Sequence, residues 1–372
     1  MKYNKYKQEI IEILIANPEK SDSSIARDIN KKYDLNLTSM RGLRRVIKSC
    51  KNVPELELEC IKQGIDVSTV KNYWYKGKHF SIHAANKQFD YHEIKDDIIA
   101  DMKKHAPDYK KIKRDIIKDS HLLVLSPADV HIGKLARAFE TGEEYNSQIA
   151  VKRVLEGVQG IIQKSIGYPM DKILFVIGND ILHIDSPQRK TTSGTPQDTD
   201  GQWYDNFLMA KTLYVDIIET LMTLADVHIV FNRSNHDHMS GFFLADTIHS
   251  WFANCKNVTF DVSMMDRKYF LYGKNLIGTT HGDGAKIESL PLLMATEAPI
   301  LWSQSKHRYV YTHHVHHKVV KDMVGVTVES LRSPSSADAW HHRSGYQHNP
   351  KAIEGFIHHP EDGQIARFNH FF

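Results

Sequence analysis

Five short apolar runs in the last two-thirds of this chain each end in a small polar cluster built from Asp, Asn and His. Asp129-Val130-His131 follows the run at 122–125, and Gly178-Asn179-Asp180, with His183 close behind, follows 173–177. Asn235-His236-Asp237 comes after 227–231, His281-Gly282-Asp283 after 276–280, and His314-Val315-His316 after 309–311. Runs this short, rich in Val, Ile, Leu and aromatics, suit buried strands better than helices. Each cluster is therefore expected just past a strand end. In a layered α/β fold the strand ends converge on one edge, so residues distant in sequence can meet in one pocket. Imidazole nitrogen combined with carboxylate and amide oxygen suits Mn²⁺, Fe²⁺ or Zn²⁺ rather than Ca²⁺.

The rest of the composition narrows the setting. A length of 372 residues allows two or three domains, and 41% apolar with 25% charged residues is ordinary for a globular chain. The three cysteines, Cys50, Cys60 and Cys255, form no Cys-x-x-Cys pair. That argues against a disulfide framework or a thiolate zinc site and fits a reducing, cytoplasmic setting. The apolar stretch at 10–16 is broken by Glu12 and followed by no cleavage signal, and no run is long enough to span a bilayer. Neither a signal peptide nor a membrane association is expected. Histidine is abundant, 23 in all, and only six belong to the clusters; the others, including His313, His317, His341 and His342, are by default surface or loop residues. The net charge of +3 hides an asymmetry, because residues 1–51 carry twelve Lys or Arg against six Asp or Glu.

Three regions emerge: 1–52, 53–120 and 121–372. The first reads as three helices. Ile10, Ile11 and Leu14 form an apolar face, Ser21 to Ser24 supply cap residues for a second helix, and Ser39 can cap a third. In the third, Met40, Leu43 and Ile47 share one face while Arg41, Arg44, Arg45 and Lys48 share the adjacent one. That is the pattern of a helix-turn-helix-like domain offering cations to a nucleic acid. A small bundle with a solvated charged face is the plainer alternative. The second region reads as a helix at 54–64, a hairpin around Lys76-Gly77-Lys78 with Tyr73, Trp74 and Tyr75 beside it, and a charged linker with a helix at 91–104. The third alternates strands with helices at 147–162 and 203–224, then ends in strands at 324–331, 353–358 and 365–371. A long Pro, Thr, Gly and Asp-rich loop at 186–201 carries Arg189 and Lys190 and reads as a substrate-facing flap.

The five clusters, in this order, resemble the calcineurin-like metallophosphoesterase superfamily, whose pattern is D-x-H, G-D-x-x-(D or H), G-N-H-(D or E), G-H-x-(D or similar) and G-H-x-H. The resemblance covers about residues 121–320 and implies a sandwich of two mixed β-sheets flanked by helices. It further implies that Asp129, His131 and His316 hold one metal, that Asn235, His281 and His314 hold the other, and that Asp180 bridges them. His236 resembles the family's acid, with Asp237 orienting it, and His183 resembles a residue that positions the substrate phosphate. Asn179 departs from the pattern by standing between the usual glycine and aspartate, and Ser234, Thr280 and His313 stand where glycine is usual.

Asp180 with His183, together with Asn235-His236-Asp237, looks most like the SbcD-type DNA-repair nucleases. The basic N-terminal arm joined to such a core also resembles metallophosphoesterases encoded by bacteriophages. The capping domain and ATPase-binding helices of SbcD-type proteins have no counterpart in the roughly 55 residues after His317, so an SbcC-like partner is not expected. The leading expectation is a Mn²⁺-dependent nuclease or exonuclease that cuts DNA with the help of two metal ions and a shared water. The alternatives are a phosphodiesterase or phosphatase for a nucleotide or other small phosphoester, and a DNA-binding protein with a vestigial core.

Overall fold

The alternation of side chains along each apolar run decides which layer a residue enters. In the computed structural model this is plain in β3 (His121–Leu125), where Leu122 and Val124 face one core and Leu123 and Leu125 another. The structure describes residues 6–35, 40–50, 60, 72–76, 81–85, 106–346 and 348–372. The chain divides into two compact units, Met1–Asp96 and Asp97–Phe372.

In the first unit α1 (Lys7–Ala16), α2 (Asp22–Lys32) and α3 (Arg41–Cys50) pack around Ile10, Ile11, Ile25, Ile29, Leu43 and Ile47. Ser21 caps α2 by accepting the Ser24 amide. Arg41, Arg44, Arg45 and Lys48 are all exposed on α3 while Leu43, Val46 and Ile47 are buried, as the periodicity predicts. Strands β1 (Asn72–Lys76) and β2 (Ser81–Ala85) pair antiparallel, with Asn72 opposite Ala85. The Ser39 cap and the helix at 91–104 fall outside the described residues, as does the helix at 54–64 except for Cys60.

The second unit holds two mixed sheets. The larger has the order β13-β12-β3-β4-β5-β6. Its strands β4 (Met170–Gly178), β5 (Asp226–Asn232) and β6 (Val258–Asp261) run parallel to β3, and β12 (Ala352–His359) and β13 (Gly363–Phe371) form an antiparallel hairpin on the other edge of β3. The smaller has the order β10-β11-β9-β8-β7, made of β7 (Lys268–Tyr272), β8 (Asn275–Thr279), β9 (His307–Thr312), β10 (Val319–Met323) and β11 (Val326–Ser330).

Leu122, Val124, Leu174, Val176, Val230, Ile277, Tyr311 and Phe356 fill the space between the sheets. The opposite face of the larger sheet is covered by α5 (Ser147–Lys164), α6 (Trp203–Leu224) and α7 (His238–Trp251), which follow the short α4 (Ala138–Thr141). Helices α8 (Leu290–Glu297) and α9 (Pro299–Gln304) cover the smaller sheet through Leu290, Met294, Leu301 and Trp302, and a last short helix, α10, spans Ala339–Arg343. Each such fully buried aliphatic side chain contributes about 1.5–3 kcal/mol by leaving water. No helix among the described residues is long and apolar enough to cross a membrane.

Two expectations change. The strand expected over 324–331 is the second arm of a hairpin, because Val324 and Gly325 take positive φ values of 47° and 80° and turn the chain between β10 and β11. The linker expected before residue 121 is, where it is described, packed within the second unit. The Ile112 amide donates to Asn257 Oδ1 at 2.8 Å, and Arg114 pairs with Asp226 at 2.5 Å.

Candidate metal centre

All five clusters sit where their strands end, at the carboxyl edge of β3, β4, β5, β8 and β9. The sheet ladder continues into these loops and sets their register. The Asp129 amide donates to the Asn179 carbonyl at 2.8 Å, His131 to the Asp180 carbonyl at 2.9 Å, and Asn179 to the Asn232 carbonyl at 3.0 Å. In the smaller sheet His313 donates to the His281 carbonyl at 2.8 Å.

The loops reach this arrangement through backbone that non-glycine residues rarely adopt. Asp129, His131, Asn179, Asp180, His314 and His316 all have φ between 52° and 70°. Left-handed conformations at such residues cost about 1–3 kcal/mol each and gather at functional sites. Gly178, at φ 84°, precedes two of them, and a Cβ there would meet the Asn232 carbonyl oxygen at 2.2 Å.

The side chains fall into three groups whose nitrogen or carboxylate atoms lie within 4.8 Å of one another: Asp129, His131 and His316; Asp180, His281 and His314; and His131, His183 and His236. His281 Nε2 is 3.2 Å from Asp180 Oδ2 and 3.0 Å from Asn235 Oδ1, which adds Asn235 to the second group. His316 Nε2 is 3.5 Å from Asp129 Oδ1 and 3.4 Å from His131 Nε2.

Two observations show that these residues suit divalent cations. Asp129 and Asp180 are buried carboxylates, and Asp129 Oδ1 and His281 Nδ1 have no hydrogen-bond partner. Ionised groups placed so are costly unless paired. Burial pushes His131 and His183 well below the usual imidazole range and His314 below it, leaving neutral rings with ligand lone pairs. His281 is the exception. Burial works against its charge, but the Asp180 carboxylate outweighs it and raises the ring to about 9, so a proton sits where a cation would satisfy the same carboxylate. For Asp129 and Asp180 burial opposes ionisation, yet the neighbouring His316 and His281 rings hold both below the usual carboxylate range.

The catalytic expectations divide. His183 and His236 stand together, ring centroids 5.4 Å apart and nearly parallel, and both line the cavity with His131, His314 and His316. Asp237 does not orient His236. His236 Nδ1 instead meets the His183 carbonyl at 3.0 Å, while the Asp237 carboxylate accepts the Leu182 amide at 2.8 Å and the Ser234 hydroxyl at 2.5 Å. Asp237 therefore pins the loops after β4 and β5 together. Burial and then repulsion from Asp180 push its carboxyl up to about 7.

The residues found in place of glycine have work of their own. The Ser234 hydroxyl also accepts the Asp180 amide at 2.8 Å, and the His313 ring meets the Ser126 hydroxyl at 2.9 Å.

The loop at 186–201 reaches the cavity, but through residues other than the two cations expected there. Thr195 to Asp198 line the cavity, which has a volume of about 500 Å³. Arg189 and Lys190 are exposed and are not among its lining residues. Asp185, just past His183, accepts the Met239 and Ser240 amides at 3.1 and 2.7 Å and so satisfies the start of α7.

Lys134 and Asp338 carry no signal in the sequence, and His341, expected as a surface or loop residue, lines the cavity. Lys134 is buried beside the site and its Nζ pairs with Asp338 Oδ2 at 3.0 Å, while Asp338 Oδ1 meets His341 Nδ1 at 2.7 Å. Lys134 and Asp338 are far apart in sequence, so no local pattern could have marked them.

No protein-family model and no curated relative matches this chain. Solved structures do match. An archaeal phosphodiesterase is 11% identical over 68% of this chain and 99% of its own, with a TM-score of 0.32. Vacuolar protein sorting 29 from Cryptosporidium parvum is 13% identical over 68% of this chain and 99% of its own, with a TM-score of 0.31. The Zn²⁺ complex of the Entamoeba histolytica protein of the same name is 12% identical over 67% and 98%, with a TM-score of 0.28. Likenesses this distant carry no weight for substrate or chemistry.

Proposed function

We propose that this protein is a two-metal phosphodiesterase whose substrate is a nucleic-acid strand. One observation carries the first half: two donor sets meet beside one cavity, each with a buried aspartate and two imidazoles. Asp129, His131 and His316 would hold one divalent ion. Asp180, His281 and His314, with Asn235, would hold the other. Donors without thiolate fit Mn²⁺, and Fe²⁺ or Zn²⁺ suit them as well. Two such ions would supply an activated water and a clamp on the attacking and leaving oxygens.

The remaining steps belong to side chains. His236 gives its Nδ1–H to the His183 carbonyl, so Nε2 is the nitrogen free to meet a substrate oxygen. In the imidazolium form that nitrogen protonates a departing alkoxide. His183, kept neutral first by burial and then by the nearby Lys134, offers a hydrogen bond to a phosphoryl oxygen. Asp237 acts through the loops it joins and is a positioning residue.

The second half is supported by the exposed row Arg41, Arg44, Arg45 and Lys48, whose charges suit a phosphate backbone. One observation favours a second reading, a nucleotide or other small phosphoester: no Lys or Arg is among the residues lining the cavity. Incubation with Mn²⁺ and end-labelled duplex and single-stranded DNA, beside bis(p-nitrophenyl) phosphate and an Asp180→Asn control, separates the two. Metal-dependent cleavage of DNA that the variant lacks is the expected result. Hydrolysis of the small diester alone would move the assignment to the second reading, and hydrolysis of neither would remove both.

A further inference from the structure

A large indole standing in water at the rim of a phosphoester cavity calls for an explanation. Trp340 is 63% exposed and lines the same cavity as His236, His314 and His316. Its position is built rather than incidental. Trp340 is carried on α10, whose first turn is capped where Asp338 accepts the His341 amide at 2.9 Å. Asp338 is in turn fastened to the buried Lys134, close in sequence to His131. From the metal centre outward the rings form a continuous run. His341 lies nearly parallel to His316 at 5.1 Å, Trp340 meets His341 edge-on at 5.0 Å, and Tyr346 lies 5.9 Å beyond Trp340. The flap contributes polar groups to the same cavity through Thr195, Gln197 and Asp198.

We infer that Trp340, with the Gln197 and Asp198 side of the flap, forms a subsite for a nucleobase adjoining the phosphate that is cut. This rests on the phosphodiesterase reading and names the substrate class it implies. A planar π-face recognises any base by stacking, and an amide and a carboxylate nearby can meet donors and acceptors on a base edge. A lipid tail would call for a continuous aliphatic wall, and here Leu135, Pro196 and Ala339 stand among histidines, Gln197 and aspartates. A free phosphate would leave the indole with nothing to cover it. The subsite also explains how a cavity with no lysine or arginine among its described lining residues can hold a polyanion fragment: the base would anchor it while its charge would fall to the ions at the Asp and His clusters.

The experiment compares a thymidine dinucleotide with the same diester carrying an abasic tetrahydrofuran in place of one nucleoside. With the full chain and Mn²⁺, kcat/KM is read for the wild type, Trp340→Ala and Trp340→Phe. Trp340→Ala is expected to lower the base-bearing to abasic ratio roughly five- to a hundredfold, mainly through KM, and Trp340→Phe to recover most of it. An equal loss on both diesters, or an unchanged ratio, would overturn the subsite.

Binding gives a readout free of chemistry. Fluorescently labelled forms of the two diesters are titrated by anisotropy against Asp180→Asn, with and without Trp340→Ala. Base-dependent binding lost with Trp340 upholds the subsite even where nothing is hydrolysed, and then the phosphodiesterase reading alone fails. Equal binding of the base-bearing and abasic diesters to Asp180→Asn overturns it.

Discussion

The two units treat their charged residues in opposite ways. Helix α3 buries Leu43, Val46 and Ile47 and leaves Arg41, Arg44, Arg45 and Lys48 in water, where they cost the fold almost nothing. The second unit does the reverse at one edge, burying Asp129, Asp180, Asp237, His131 and His281 together. Burial of that kind is expensive without a compensating partner. The contrast separates what each region can disclose. Exposed cations fit many partners and any salt solution, whereas a crowd of buried carboxylates and imidazoles with unpaired atoms fits very few.

The sharpest way to break the contrast is to remove one buried carboxylate. Asp129→Asn should cut hydrolysis of bis(p-nitrophenyl) phosphate by more than the roughly hundredfold at the top of the range for outer-shell partners of a metal, and steady-state kinetics would show it. A loss of only a few-fold would mean that the buried cluster is structural.

Next in size is the effect of the cation itself. Mn²⁺ at a hundred times its dissociation constant should add about 2.7 kcal/mol to the stability of the second unit, seen as a higher denaturation midpoint that a chelator reverses. The first unit should show no such response.

A smaller effect concerns pH. Asp237 has its folded pKa raised to about 7, against about 4 when unfolded, so the folded state holds that proton more tightly and loses stability as pH rises through this interval. In metal-free protein, Asp237→Asn should therefore gain on the wild type by on the order of 2 kcal/mol between pH 5 and pH 8. Parallel pH profiles of the two proteins in urea denaturation would contradict the raised pKa.

The smallest effect is expected on α3. Arg44→Ala combined with Arg45→Ala should change stability by no more than about 0.5 kcal/mol. The same pair should lower the slope of log K against log salt for duplex DNA by about 2. An unchanged slope would leave the exposed row as a solvated face.

Much of this was legible in the chain because strand and ligand signals coincide. Each apolar run proved to be a strand and each cluster its carboxyl end, and the helix expected at 203–224 is α6 to the residue. What escaped the reading lacked a local signature. Helix α7 begins at His238 without help from its own N-cap side chain, since Asp237 is engaged with Leu182 and Ser234 and the distant Asp185 takes the free amides. Strand β10 carries Lys321 and Asp322 on an exposed edge, so its alternation was diluted. Asp237 stood in a cluster that the sequence marks, yet only the three-dimensional hydrogen bonds show which atoms it holds. Trp340 and His341 gain their meaning from Lys134 and His316, which no spacing rule connects to them.

The hairpin of β12 and β13 sets the timetable of the whole edge. Strand β3 carries the loop with Asp129 and His131, and its outer neighbour is β12, which is synthesised only after every other ligand loop. Until β12 arrives, β3, buried along its whole length in the finished fold, presents an open row of amides and carbonyls, the kind of edge that recruits stray strands. Ser333, which follows β11, fastens the same loop, its hydroxyl donating to the Asp129 carbonyl at 2.7 Å. A chain halted before Ala352 would thus hold every ligand named here and still lack the strand that closes the β3 edge, so the metal-binding loops are made before the edge that steadies them.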